Sequence, residues 1–584
     1  RLLDMESVRV WDEEMKRLEK RNFLTFLFDG WEDCLKWSLY GSIAAEVKQH
    51  PTVLSLDDLS GKRGNVPTLI ETTQRATSTM GLSDMKKFIA ATTDNPTTMQ
   101  AYRRELQKLY PWLLTFACFL HGLNTIIGEI STFAKMKQVI KKVTEVVTFF
   151  NRSHYWGGQL KGEALKHGIK TSLKQNCESR WYALVLHCMS VQTYRPALIA
   201  ICIREDALRP PDKLSPIPRS IYDIVVTNGN LFWPAIAQFI RTVKPLVDAI
   251  GNVESRDATL ADCMLELIRC ARAMTRLTLH DSDEVGFWLH SKAVFNRRFY
   301  EMDTAHHSLT LFLHPLCRRL AVSQVANGRS FELMKKTALE IAQRWSWPLP
   351  RAKALKADLE AYYKCEEPFT GGDADAIRWW TNLPVDAAKH PLKALARALH
   401  SIVPHAGDIE RLFSDLGGTQ SVKHCRLSVD TFEKLGKLRS NLSRHLHQKL
   451  ALNGVPICRK HSHMHTRPES GIDTELAADL DEDFTWVPPL TIAREPSEAL
   501  EGPEDTDLDD LERAFKEFEE ELRNRDLNSE VTIDGHEVLE GELYDFEELE
   551  KVDKNVIPVA VEEEITVLGG GEAEQGDTWT IEDV

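Results

Sequence analysis

The apolar positions near the start of the chain come in short runs that stop at acids. Asn22–Phe28 (NFLTFLF) is β-prone and ends at Asp29-Gly30-Trp31. A second run, Trp37–Val47, follows soon after that turn, and a third, Lys87–Thr93, ends at Asp94. Runs this short, bounded by turn residues, predict strands, and the first two predict neighbours in one sheet. Residues 48–65 read as loop. A short charged helix is expected over residues 1–20, and another over Pro67–Gly81. Met99–Ile130 has helical spacing, interrupted at Pro111. From residue 133 the 3–4 spacing recurs in Lys135–Phe150, Trp181–Val191, Leu231–Ile250, Ala258–Thr278, Met302–Leu320, Phe331–Trp345 and Asp375–Leu446. Pro210-Pro211 and Pro216–Pro218 mark a loop between helices, and Pro348 and Pro350 end a block. After His465 the periodicity disappears apart from Leu508–Leu527, so the remainder is expected to be a mobile tail.

Composition changes this picture mainly through charge. The chain has 584 residues, 43% hydrophobic and 27% charged, which excludes a wholly disordered protein. Its net charge of −15 hides a split. Residues 467–584 carry 39 acids and 8 bases, whereas residues 1–466 carry 48 acids and 64 bases. A basic body points to a polyanionic partner. The acidic tail either screens that body, competes for it, or simply keeps the protein soluble. No run reaches the roughly 18 apolar residues of a membrane span. The 11 cysteines are scattered without a CxxC pair, which suits a reducing compartment. No secretory signal heads the chain, which starts at Arg1 rather than Met, so a preceding segment is expected.

An aspartate just past a strand end is held at the rim of the sheet. Two of them on adjacent strands can share a hard divalent cation, and paired metals can clamp both oxygens of a phosphodiester displacement. Asp29 and Asp94 fit these positions, with a third carboxylate expected from far along the chain. The same residues also suit turns or helix caps.

The residues around these acids carry a family resemblance. Thr92-Thr93-Asp94-Asn95-Pro96, then Tyr110-Pro111-Trp112 and Cys118-Phe119-Leu120-His121-Gly122-Leu123-Asn124, resemble a block of the hAT transposase superfamily. Phe28-Asp29-Gly30-Trp31 resembles that family's first catalytic block, and Glu178-Ser179-Arg180-Trp181 its Arg-Trp motif. Trp379-Trp380 and Pro404–Ser414 resemble its C-terminal dimerisation region, followed by Arg426-Leu427 and a helix ending Arg439-Ser440-Asn441-Leu442.

The resemblance implies an α/β protein with a ribonuclease H-like core, interrupted by a large all-α insertion and followed by a disordered acidic tail. The implied divisions are a 1–20 N-terminal helix, a 21–181 first part of the core, a 182–370 insertion, a 371–446 C-terminal core and dimerisation region, and a 447–584 linker and tail. It implies a nuclear transposable-element protein that binds element ends and target DNA, works as a homodimer or higher oligomer, and uses neither a membrane nor a small-molecule substrate. The implied catalytic and metal-holding triad is Asp29, Asp94 and Glu410, with Mg²⁺ or Mn²⁺ as cofactor. DNA contacts are implied for His121, Arg180, Trp181, Arg411 and Arg426. Leu412, Phe413, Leu416, Leu435 and Leu438 are expected at the dimer interface.

Bland readings stand beside these roles. Trp181 either stacks an extruded base or packs in the core. Arg411 and Arg426 contact phosphates or pair with acids. Cys118 with His121 lacks the two further ligands zinc needs, and the run Cys458–His465 matches no standard finger. The chain departs from the family pattern in having no N-terminal zinc finger, in Ile409 where a serine usually precedes the glutamate, and in its acidic tail. The alternative function is a domesticated DNA-binding and dimerisation protein that no longer cuts.

Overall fold

The computed structural model describes residues 2–32, 36–174, 181–209, 215–322, 329–419, 427–453, 506–528, 544–559, 579–581 and 584. Helix α1 (Leu2–Glu19) leads into a mixed five-stranded sheet of order β3-β2-β1-β4-β5. Strands β1 (Leu24–Glu32), β2 (Ser38–Ala45) and β3 (Thr52–Asp58) form an antiparallel meander. Strand β4 (Phe88–Thr93) runs parallel to β1, and β5 (Leu114–Ala117) parallel to β4. Every residue of β4 is buried, as expected of a parallel strand covered on both faces.

Alternating side chains of β1 serve two cores. Phe26 and Phe28 point to one face, under α2 (Val66–Thr79) and α3 (Thr97–Leu109), where they meet Leu69, Ala76, Tyr102 and Leu106. Each buried phenylalanine contributes roughly 1.5–3 kcal/mol. Leu27 points to the other face, among Ile43, Leu56, Ile409 and Phe413. Asn65 caps α2 by accepting the Thr68 N–H at 3.1 Å.

After β5 the chain enters a largely helical block that begins with α4 (Phe119–Ser131), α5 (Ala134–Arg152), α6 (His154–Lys166) and α7 (Trp181–Thr193). Their apolar faces join one large core with later helices such as Gly229–Val253 and Leu260–Thr275. The chain then returns to the sheet at residues 401–406. Thr92 Oγ1 donates to the Val403 carbonyl at 2.8 Å, and the Val403 N–H donates to Thr25 Oγ1 at 3.0 Å. The Phe119 N–H donates to the Pro404 carbonyl at 3.1 Å. The next helix, Gly407–Thr419, lies across β1 and β2, with Phe413 stacked on Trp31 at 5.5 Å. Gly41 allows this approach, since a Cβ there would stand 3.1 Å from the Phe413 ring. Helix Val429–Leu452 packs on β3 and α1, and its buried Asn441 and Arg444 each reach Glu14 at 3.2 Å.

Several sequence expectations need correction. Residues 48–65 are not all loop, because 52–58 forms the edge strand β3. Met99–Ile130 is not one interrupted helix, because β5 separates α3 from α4. The tail contains two packed helices, Thr506–Asn528 and Phe546–Asp553, which bury Leu511 and Phe515, and Phe546 and Leu549, against the body. Trp380 packs on Tyr362 and donates its indole N–H to the Leu313 carbonyl at 2.7 Å, inside the helical block. Among the described residues, no helix is long and apolar enough to cross a membrane.

Candidate active site

Strand pairing brings the first two acids together. Phe28 of β1 is the parallel partner of Thr93 of β4, so Asp29 and Asp94 follow side by side. Asp94 lies just past the end of β4 and Asp29 inside β1, which does not stop at the acid as its apolar run suggests but pairs Asp29 with Gly41 of β2 and runs on to Glu32. Asp29 accepts the Gly30 N–H at 2.8 Å. Glu410 arrives in the first turn of helix Gly407–Thr419 and adds its negative charge to the field around Asp94. Cys118 feels both Glu410 and Asp29, and Tyr40 feels both Asp94 and Asp29. The three carboxylates thus share one neighbourhood.

Asp94 is the perturbed member. Burial pushes its carboxyl above the usual range, His121 and Arg103 pull it down, and Glu521 and Glu410 push it further up. Its Oδ1 is buried and accepts no hydrogen bond. A buried carboxylate oxygen without a donor is costly, and perturbed groups of this kind concentrate at functional sites.

The turn that carries Asp94 is built around Arg103 of α3. This guanidinium donates to Thr93 Oγ1 at 2.6 Å, to the Asp94 carbonyl at 2.5 Å and to Asn95 Oδ1 at 2.5 Å. Burial lowers the Arg103 pKa to about 10, with Asp94 opposing, so it stays charged at neutral pH. On the other side the Cys118 N–H donates to the Thr93 carbonyl at 2.6 Å, and Cys118 Sγ accepts the Ala406 N–H at 3.3 Å. Burial pushes the Cys118 thiol up to about 12, so it serves as a packed anchor and not as a thiolate ligand.

His121 is exposed on α4 and lines a cavity of about 100 Å³ with Asn95, Cys118 and Arg298. Asn124, one turn on, accepts the Tyr182 N–H at 3.0 Å and so ties α7 to α4. Trp181 lies half-buried at the start of α7 against Gly128, where any Cβ would stand 2.6 Å from its ring. Its indole also meets Phe515 at 5.0 Å and Phe518 at 4.8 Å, so it is a packing residue in this structure.

Other expected site residues are placed differently. Arg411 faces acids: it donates to Asp408 at 2.9 Å and to the Glu254 carbonyl at 2.7 Å, which accounts for its charge inside the fold. Leu412, Phe413 and Leu416 are buried under the chain's own sheet, which corrects their assignment to an intermolecular face. The reason is the close approach to Gly41 and Trp31. Leu435 and Leu438 are half-buried, while Leu442 and Leu446 further along that helix are exposed. Arg180, Arg426 and the run 458–465 lie outside the described residues.

Sequence reasoning missed Arg103, Tyr40 and Glu521. Arg103 sits within an amphipathic helix and resembles any other α3 residue. Tyr40 is one apolar position of a strand. The one available signal for Glu521 was the spacing of Leu511, Phe515 and Phe518, which marks a helix with a face to bury.

The donor set suits a hard cation by type, since it consists of carboxylate oxygens and one of them is unsatisfied. Among the described residues, no group of three His, Cys, Asp or Glu side chains is arranged to hold one ion. The chain matches no protein-family model and no curated protein.

Proposed function

We propose that the protein is a DNA strand transferase of the hAT transposase type, with a ribonuclease H-like core interrupted by the helical block. The observation that carries this reading is the convergence of Asp29 and Asp94, carried by adjacent parallel strands, with Glu410 from a helix that follows the whole block. The strand order, and the return of residues 401–406 to the sheet, support the interrupted core. Nuclear DNA is the substrate on this reading, and the exposed Leu442 and Leu446 offer the oligomer contact.

On this reading Asp29, Asp94 and Glu410 are the groups that would hold Mg²⁺ or Mn²⁺, drawn closer together than they stand in this structure, and the ion when bound would supply charge stabilisation at phosphoryl oxygens. Arg103 fixes the backbone from which Asp94 projects. Cys118 and Ala406 lock the end of β5 to the segment leading to Glu410. His121, exposed beside Asp94, offers an N–H to a phosphate oxygen.

The test is nicking and strand transfer on DNA bearing the terminal repeats that flank the locus, with and without divalent metal, and with Asp94→Asn as control. Metal-dependent cleavage lost in the variant is the expected result. Equal DNA binding by both proteins, with cleavage by neither, would move the reading to a DNA-binding protein that no longer cuts.

A further inference from the structure

The acidic tail helix Thr506–Asn528 is docked on α5 and on Trp181 at the start of α7. Its apolar face buries Phe515 and Phe518 against Trp181. Its carboxylates take the lysines of α5: Lys137 donates to Glu519 at 2.6 Å and lies 4.8 Å over the Phe515 ring, and Lys141 pairs with Glu512. The short tail helix repeats the pattern elsewhere, where Asp553 takes Arg269 at 2.7 Å and Arg272 at 2.8 Å. The described tail helices therefore sit on cations of the basic body, with aromatic anchors setting the register.

From this arrangement we infer that the face formed by Lys137, Lys141 and Trp181 is a DNA-contact surface leading to the acids, and that the tail helix is its resident competitor. The inference rests on the strand-transferase reading for its choice of DNA. The surface has the composition such a partner needs, lysines for phosphates and a flat indole for an exposed base. Carboxylates on the tail take the lysines that phosphates would otherwise take. DNA and tail helix cannot occupy the face together, so binding releases the helix and loss of the helix strengthens binding.

The experiment compares the full chain with Phe515→Ala/Phe518→Ala, and with the charge removal Glu512→Gln/Glu519→Gln, which alters no buried apolar side chain. The readouts are fluorescence anisotropy on terminal-repeat DNA across a salt series, and amide exchange over 506–528. Both variants should speed exchange in the tail helix and tighten DNA binding by about tenfold, with a salt slope steeper by about two for the two freed lysines. Adding Lys137→Ala/Lys141→Ala should remove the gain. Faster exchange with unchanged DNA affinity would overturn the inference, as would a gain that survives loss of both lysines. Metal-dependent cleavage of the same DNA, run alongside, that is equal in the wild-type chain and both variants while their DNA affinities are also equal would sink the inference and leave the enzyme reading standing. Tighter binding on release, with no cleavage in any variant, would do the reverse.

Discussion

Asp94 and Asp408 are both drawn into the protein, and the fold treats them in opposite ways. Asp408 is fully enclosed, accepts Arg256 at 2.8 Å and Arg411 at 2.9 Å, and is held well below the usual carboxylate range by those charges against the cost of burial. Asp94 is raised by burial, keeps an oxygen without a donor, and has more acids as neighbours. The first acid is a structural tie between the helical block and the helix that brings Glu410. The second is left with unmet demand for positive charge. The difference separates an acid that holds the site together from one that waits for something to bind.

Removing Asp408 should break the comparison most sharply. Asp408→Ala removes the buried carboxylate that ties the half-buried Arg256 to Arg411 and is expected to cost about 3 kcal/mol, read from urea unfolding. Asp94→Asn should leave stability equal or higher while abolishing metal-dependent cleavage. Arg103→Ala, which removes the three hydrogen bonds of the β4–α3 turn, should cost about 2–3 kcal/mol and lower activity with it. Gly41→Val drives a side chain into the Phe413 ring and should cost about 1–3 kcal/mol. Because it shifts the helix bearing Glu410, cleavage should fall further than stability, which assays on the still-folded fraction would show.

Acidification sharpens the same contrast with smaller effects. Asp94 has a raised folded pKa, so its destabilising contribution is complete above that value and gone below the unfolded value near 3.8. The stability advantage of Asp94→Asn should therefore shrink as pH falls through that window. Asp408 has a depressed folded pKa, so its contribution is present above 3.8 and lost as pH falls toward the folded value. The deficit of Asp408→Asn should shrink at lower pH than the Asp94→Asn advantage. Urea midpoints from about pH 8 to pH 3 would show whether the two curves move in opposite directions.

The sequence made β1, β2 and β4 legible from their dense apolar runs, and Asp94 as the acid after β4, but it ended β1 too early, because Asp29-Gly30-Trp31 reads as a turn while β2 carries the ladder on to Glu32. It hid β3, whose Ser55 and Asp57 look like loop residues until Arg75 pairs with Asp57 and β2 supplies the ladder. It hid β5, four residues long within an apolar stretch that reads equally well as helix. Asp408 and Glu410 are indistinguishable as letters two places apart, and only the positions of Arg256 and the sheet tell the tie from the site acid. Leu412, Phe413 and Leu416 have the spacing of any amphipathic helix, and the partner that covers them is the chain's own sheet.

The hydrogen bond between the Phe119 N–H and the Pro404 carbonyl joins the start of the helical block to its end, and this has a consequence in time. A chain emerging from the ribosome at roughly 5–20 residues per second completes β4 and Asp94 roughly 15–60 s before Glu410 exists. The middle of the sheet where these acids meet stays open until the last turn of the block has been made and segment 401–406 has been laid on it. The nascent protein thus carries two of its acids through most of its synthesis, and acquires the third together with the closing stitch of its fold.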